Sequence, residues 1–276
     1  MTIGMKTTSR VGTATNKSTT PKQKLISYNV DAKTRKGTKL GYLTGIQYLA
    51  PSTESGIVNL CPDSTPGCEE SCLFTAGRAA LDDRINQARI KRTITFVLNK
   101  TGYWSQLIRD VEALIRAAER KQLIPCIRLN GTSDQPWERM LIKGTGTAYD
   151  GMTILEAFPN VQFYDYTKTI DRMDTRNASG IQVPDNYYLL ASYSEKMTQW
   201  TMEYQLLDRG KNVAVVFRVC QHRGTCGCAL PESWKGHKVI NGDASDVRFE
   251  DEQGVIVGLK AKGDARNDTK GFVVRI

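Results

Sequence analysis

Beyond about residue 40 the chain alternates apolar runs with amphipathic ones. Leu40 to Leu49, Gly56 to Leu60, Ile124 to Leu129, Val161 to Tyr166, Tyr187 to Ala191, Val213 to Val219, Lys238 to Ile240 and Val255 to Leu259 read as strands. From Ile124 onward the runs are rich in Val, Ile, Leu and Tyr with little polar alternation, the pattern of strands covered on both faces. Between them, Leu81 to Leu98 has apolar residues at helical spacing (Leu81, Ile85, Ala88, then Ile90, Ile94 and Val97). A second helix carries Trp104, Leu107, Ile108, Val111, Leu114, Ile115 and Ala118 on one face and charged residues on the other. Shorter helices are predicted at Trp137 to Lys143, Met152 to Phe158 and Met197 to Arg209, with a helical turn at Gly67 to Gly77. This rhythm predicts an α/β protein built on a parallel sheet or a partial (β/α) barrel. The absence of a fixed-period repeat and of a Pro- and Gly-rich linker after residue 40 predicts a single domain.

Polar residues gather just past the ends of these runs: Asn130, Thr132, Ser133 and Asp134; Thr167 and Lys168; Ser192, Ser194 and Glu195; Arg218, Cys220 and His222; Asn241, Asp243 and Asp246; Lys260 and Lys262. Any one strand end carries polar turn residues. Six in succession point to a shared site at the carboxyl ends of parallel strands, where α/β folds bind ligands. Asn130, Asp134, Lys168, Glu195, Arg218 and Lys260 are the candidate catalytic residues, and Ser192, Ser194 and Asp243 candidate cofactor contacts.

Charge divides the chain unevenly. The 276 residues carry a formal net charge of +9. Residues 1–40 hold nine Lys and Arg against the single acid Asp31, and the rest is almost neutral. Thr, Ser, Gly and Lys dominate Thr7 to Lys24, so residues 1–36 are expected to form a flexible, disordered basic tail ahead of a domain at 37–276. Such a tail adds solubility or makes salt-sensitive contact with nucleic acid, without reading bases. The remainder has ordinary globular composition. No apolar run spans a membrane and no secretion signal is legible near Met1, so a cytoplasmic protein without a membrane partner is expected.

Seven cysteines, an odd number without a signal peptide, argue against a disulfide framework. Three lie in a C-x6-C-x3-C run at Cys61, Cys68 and Cys72, where a Pro66-Gly67 turn can fold Cys61 back toward a pair at helical spacing. Three thiolates with an open fourth position suit an iron–sulfur cluster, or zinc with a further ligand. Cys220, His222, Cys226 and Cys228 form a second group that would fill a Cys3His zinc shell, complete the first trio, or make a local metal-free turn. Cys126 stands alone. Other chemistries lack their motifs: neither His222 nor His237 sits near a Gly-x-Ser-x-Gly elbow, and there is no phosphate loop or dinucleotide fingerprint.

Leu40-Gly-Tyr-Leu-Thr-Gly, the cysteine run with Leu73-Phe-Thr-Ala-Gly-Arg78, Arg128-Leu-Asn-Gly-Thr-Ser-Asp134, Phe163-Tyr-Asp-Tyr-Thr-Lys168, Asn241-Gly-Asp243 with Asp246-Val-Arg-Phe249, and Gly258-Leu-Lys-Ala-Lys-Gly263 resemble the blocks of the gene product 88 family of bacteriophage proteins, of unknown function. The likeness runs from about Gly37 to the C-terminus and implies a phage-encoded protein of the bacterial host cytoplasm; the basic tail makes nucleic acid a candidate partner, and a host protein is another. More distantly, three cysteines after the first core strand resemble radical S-adenosylmethionine enzymes. That likeness implies a [4Fe-4S] cluster on Cys61, Cys68 and Cys72, S-adenosylmethionine on its open iron, and modification of a nucleotide, nucleic acid or host component. The chain departs from that superfamily in its spacing, C-x6-C-x3-C instead of C-x3-C-x2-C, and in lacking a Gly-Gly-Glu block after the next strand. The alternative is a non-catalytic, zinc-stabilised binding protein.

Overall fold

A computed structural model describes residues 23–28, 32–173, 183–219 and 229–276. The elements in chain order are β1 (Ile26–Tyr28), α1 (Ala32–Thr38), β2 (Tyr42–Gln47), α2 (Pro66–Glu70), α3 (Asp83–Leu98), α4 (Lys100–Glu119), β3 (Ile124–Arg128), α5 (Ile154–Ala157), β4 (Gln162–Thr167), β5 (Tyr187–Ser192), α6 (Met197–Asp208), β6 (Val213–Arg218), β7 (Ser233–Trp234), β8 (His237–Asn241), β9 (Ile256–Lys260) and β10 (Val273–Arg275).

The centre of the ten-stranded sheet is the series β2-β3-β4-β5-β6-β9, in chain order and parallel throughout. Right-handed crossovers that always step to the next strand in the same sense put every connecting helix on one face. That face holds the larger core, where Leu107, Val111 and Leu114 of α4 meet Leu43, Ile127, Leu129 and Phe163, and Leu206 and Leu207 of α6 join Val213 and Val215. The opposite face carries the alternate side chains, with Leu190, Ala214 and Val257 packed against Tyr166, Tyr188, Ile240 and Leu259. The segment after β8 crosses this face. Asp246 accepts the Tyr164 hydroxyl at 2.9 Å and pairs with Arg128 at 3.8 Å, while Phe249 packs edge-on against Tyr42 and Tyr164. The fold is therefore the mostly parallel α/β sheet that the apolar runs predict, with the sequential strand order of an open barrel.

β6 has neighbours on both sides and a change of neighbour along its length. β5 pairs it only at Ala191↔Val213 and Ser192↔Ala214, after which β10 takes over in parallel at Val273↔Val216 through Arg275↔Arg218. The C-terminal strand thus fills the gap where β5 and β6 part.

Several expected boundaries move. Gly56 to Leu60 is bend and irregular backbone rather than strand, stapled by the Leu60 N–H to the Ser52 carbonyl. The helix expected at Trp137 to Lys143 contracts to a 3-10 turn at Trp137–Arg139, and Met152 to Phe158 to α5, which has a capping box between Thr153 and Glu156. The expected tail reaches too far. β1 pairs antiparallel with β2, and the Leu25 and Ile26 N–H groups donate to the buried Asp110 carboxylate at 2.6 and 3.1 Å, so the body begins well before residue 37. Residues 1–22 lie outside the described residues. Among those described, no helix is long and apolar enough to cross a membrane.

Candidate functional site

A cavity of about 270 Å³ opens at the carboxyl ends of the parallel strands. Arg128, Tyr166, Ser192, Val216 and Leu259 reach it from β3, β4, β5, β6 and β9 in turn, all from the face away from the helices. In a flat sheet the ends of β3 and β9 would stand about 19 Å apart at ordinary strand spacing. Only a curved sheet lets both line one cavity. Its mouth is completed by the loop after β2, which brings Cys61, Cys68 and Cys72, and by Asp243, Lys260, Lys262 and Phe272.

The cysteine loop is held by local capping and by cross-loop bonds. Thr65 caps α2, its hydroxyl accepting the Cys68 N–H at 3.2 Å, and Pro66 opens the helix. The Glu69 carboxylate accepts both Ser52 and Ser64 hydroxyls at 2.7 and 2.6 Å, drawing the two halves of the loop together. The Leu60 carbonyl accepts the Asp134 N–H at 2.8 Å, and the Thr169 hydroxyl donates to Asp63 at 2.5 Å. α2 ends at Glu70, so Cys68 and Cys72 do not share one helix face as their spacing predicts. Cys72 instead opens the following 3-10 turn at Leu73–Thr75, and the bend still turns its thiol into the cavity.

Burial pushes the Cys61 thiol up to about 12 and that of Cys72 to about 11. Burial raises Cys68 too, against the opposing pull of Lys168. Such groups are protonated at neutral pH and become ligands only when a metal's charge displaces the proton. Among the described residues no three His, Cys, Asp or Glu side chains converge closely enough to hold a single metal ion. A cluster makes a different demand on the donors, because each thiolate binds a different iron. Cys61, Cys68 and Cys72 all line the one cavity.

The family model for gene product 88 matches residues 17–276. The chain belongs to that family. No curated protein and no solved structure matches it. In this gene product 88 protein, Asn130, Asp134, Lys168, Ser192, Asp243 and Lys260 line the same cavity as the three early cysteines, although 200 residues of sequence separate the first from the last.

What these side chains touch separates them. The Asn130 Oδ1 accepts from Ser133 Oγ at 2.9 Å, the Gln135 N–H at 2.9 Å and Trp137 Nε1 at 3.0 Å, so this side chain shapes the loop after β3. The Asp134 Oδ1 takes Arg172 Nη1 at 2.5 Å, and its Oδ2 takes the Lys168 N–H at 2.8 Å and Thr167 Oγ1 at 3.1 Å. Arg172 also grips Glu138 through two bonds at 3.0 and 2.9 Å and donates to the Tyr187 hydroxyl, which donates to Asp165 at 2.9 Å. Asp165 in turn accepts the Asn130 N–H at 2.6 Å. Asn130 and Asp134 thus belong to a buried network that links the loop after β3 to β4, the turn after it and the first residue of β5. Lys168 spans the cavity wall, donating to the Ser192 and Tyr193 carbonyls and lying 4.7 Å from the Phe272 ring centre.

Three expected site residues do not line the cavity. Arg218 turns to the Asp268 carbonyl at 2.6 Å, drawn there by the segment leading into β10. Ser194 is buried, its N–H directed at Glu203 of α6 at 3.4 Å. Glu195 stands behind the cysteine helix and accepts the Gly67 N–H. Cys220, His222, Cys226 and Cys228 lie outside the described residues. Cys126 is buried in β3 against the Thr44 hydroxyl at 3.2 Å and takes no part in the cavity.

Arg128, Tyr166 and Phe272 also line the cavity and were not among the expected residues, whereas Lys262, one of the polar residues expected past the β9 run, lines it as well. The guanidinium of Arg128 lies 4.4 Å from the centre of the Tyr166 ring and donates to the Asn130 carbonyl at 3.3 Å. Arg128 and Tyr166 occupy alternate strand positions, a signal present in the sequence. Phe272 comes from the segment before β10 and leaves no local signal.

Proposed function

We propose that this protein is an iron–sulfur enzyme in which Cys61, Cys68 and Cys72 hold a [4Fe-4S] cluster, and that it uses S-adenosylmethionine to modify a nucleotide, nucleic acid or host component. The observation that carries this reading is positional. The three thiols of the loop after the first of six sequential parallel strands all face the cavity at the strands' carboxyl ends, beside polar side chains from the later strands. A [4Fe-4S] cluster held by Cys61, Cys68 and Cys72 and reduced by an external one-electron donor would supply the electron that splits S-adenosylmethionine into methionine and a 5′-deoxyadenosyl radical, which would take a hydrogen atom from the substrate.

The chain's own residues supply the setting. Lys168 places positive charge beside Cys68, which favours an anionic thiolate-bound group over a neutral one. Arg128, held against Tyr166, adds a second cation on the same wall. Val216, Leu259, Ala265 and Phe272 form apolar walls that limit water around the reacting atoms.

Anaerobic purification and reconstitution, with iron and sulfide analysis, tests the reading. Cys61→Ser, Cys68→Ser and Cys72→Ser are each expected to lose the iron, and Cys126→Ser to keep it. Reductant-dependent cleavage of S-adenosylmethionine by the iron-loaded protein tests the second half. Equal iron in all four variants, or zinc as the sole metal after reconstitution, removes the assignment.

A further inference from the structure

We propose that the β9 side of the cavity is a phosphate-recognition subsite and that the substrate is a mononucleotide held there by its phosphate. The inference rests on the reading above, whose substrate it names. Lys260 ends β9, and Lys262 follows in extended backbone at φ −130°, ψ 154°. Residues two apart on an extended segment project to the same side, and both lysines line the cavity. Asp243, from the turn after β8, fixes this pair. One carboxylate oxygen accepts the Lys260 N–H at 3.0 Å and the other binds the Lys262 ammonium at 2.6 Å. From α1, Lys36 donates to the Asp243 carbonyl at 2.5 Å. Asp243 is thus bound through its carboxylate by the Lys260 N–H and the Lys262 ammonium and through its backbone carbonyl by the Lys36 ammonium.

The charge of the described lining points the same way. With Arg128 paired to Asp246 and Asp134 to Arg172 behind the wall, the lining carries Lys168, Lys260 and Lys262 against the one carboxylate of Asp243. A ligand of net negative charge fits this surplus, and lysines serve as point charges for phosphate. Val216, Leu259, Tyr166 and Phe272 offer the rest of the ligand apolar and aromatic surface, which a bare inorganic anion would not use. A cavity of about 270 Å³ leaves no room for a length of polymer.

Calorimetric titration of the full chain in phosphate-free buffer, with nucleoside 5′-monophosphates, the matching nucleosides and pyrophosphate, tests the subsite. At least one monophosphate is expected to bind about tenfold or more tightly than its nucleoside, and Lys260→Gln and Lys262→Gln each to weaken it about tenfold, as loss of a charge-assisted bond does. Lys262 is exposed, so Lys262→Gln is expected to keep the wild-type unfolding temperature. Three outcomes would overturn the proposal: equal binding of monophosphate and nucleoside, binding indifferent to both substitutions, or binding of an oligonucleotide but of no mononucleotide at millimolar concentration. Iron content measured on the same samples separates the two readings. Lysine-dependent monophosphate binding by a protein that takes up no iron would sink the cluster and leave the subsite standing. Iron uptake without phosphate discrimination would do the reverse.

Discussion

Glu195 accepts the backbone N–H of Gly67 at 3.0 Å, joining the segment after β5 to the first turn of the helix that carries Cys68. Gly67 is buried there, and a Cβ on it would lie 2.7 Å from the Glu195 carboxylate and 2.8 Å from Phe272. Glu195→Ala strands a buried donor, at a cost of about 1–3 kcal/mol, and is expected to lower both the unfolding temperature and the iron retained after reconstitution. Glu195→Gln keeps an acceptor and is expected to retain the iron. Full iron content in Glu195→Ala would show that Cys68 is held by other contacts.

Arg172 is almost wholly buried and neutralises two carboxylates, Asp134 and Glu138. Removing the cation leaves both charges without it in the interior. Arg172→Leu is expected to cost about 3–5 kcal/mol, read as a lower urea midpoint. A midpoint unchanged from wild type would mean that the network contributes nothing net.

Burial pushes the Asp165 carboxyl from 3.8 up to about 7, against the hydrogen bonds from the Asn130 N–H and the Tyr187 hydroxyl. With the folded value above the unfolded one, the folded chain holds a proton that the unfolded chain has already released between those two pH values. Stability attributable to this group therefore falls as pH rises from about 4 to about 7, and is level above that window. Chemical denaturation at pH 5, 6, 7 and 8 is expected to show the decline in wild type and a flatter profile in Asp165→Asn. Parallel profiles would exclude Asp165 as the source.

Gly131 follows β3 where it meets the end of β2, and a Cβ there would lie 2.4 Å from the Gln47 carbonyl oxygen and 2.7 Å from Tyr48. Backbone cannot yield as a side-chain tip can, so Gly131→Ala is expected to destabilise by about 1–3 kcal/mol through overpacking. It should also displace the Asn130 to Asp134 wall of the cavity. Thermal unfolding with monophosphate titration reads both effects.

Residues 1–22 carry four Lys and Arg and no acid. If they contact nucleic acid, deleting them is expected to weaken binding and flatten its dependence on salt, since fewer counterions are released. The unfolding temperature of the body should not move. An unchanged salt slope would remove nucleic acid as a partner of this segment.

The sequence by itself determined the parallel α/β class, because near-continuous apolar runs such as Val213 to Val219, short, β-branched and alternating with helical segments, read as strands buried on both faces. It also placed the polar residues that follow those runs, since a parallel sheet carries all its carboxyl ends to one side, and six of the nine expected polar site residues do line one cavity. Side-chain direction was decided only in three dimensions. Arg218 and Lys260 both end apolar runs, yet β10 and the Asp268 loop take up the Arg218 guanidinium while Lys260 lines the cavity. Local pattern cannot separate them, because the partner that claims Arg218 lies 50 residues away. The start of the body was likewise illegible: β1 is three residues long, follows a polar stretch, and is held by the Asp110 carboxylate 84 and 85 residues distant. Periodicity reports which face of an element is buried; the sheet's curvature decides which of its ends meet, and that curvature arises from packing across the whole chain.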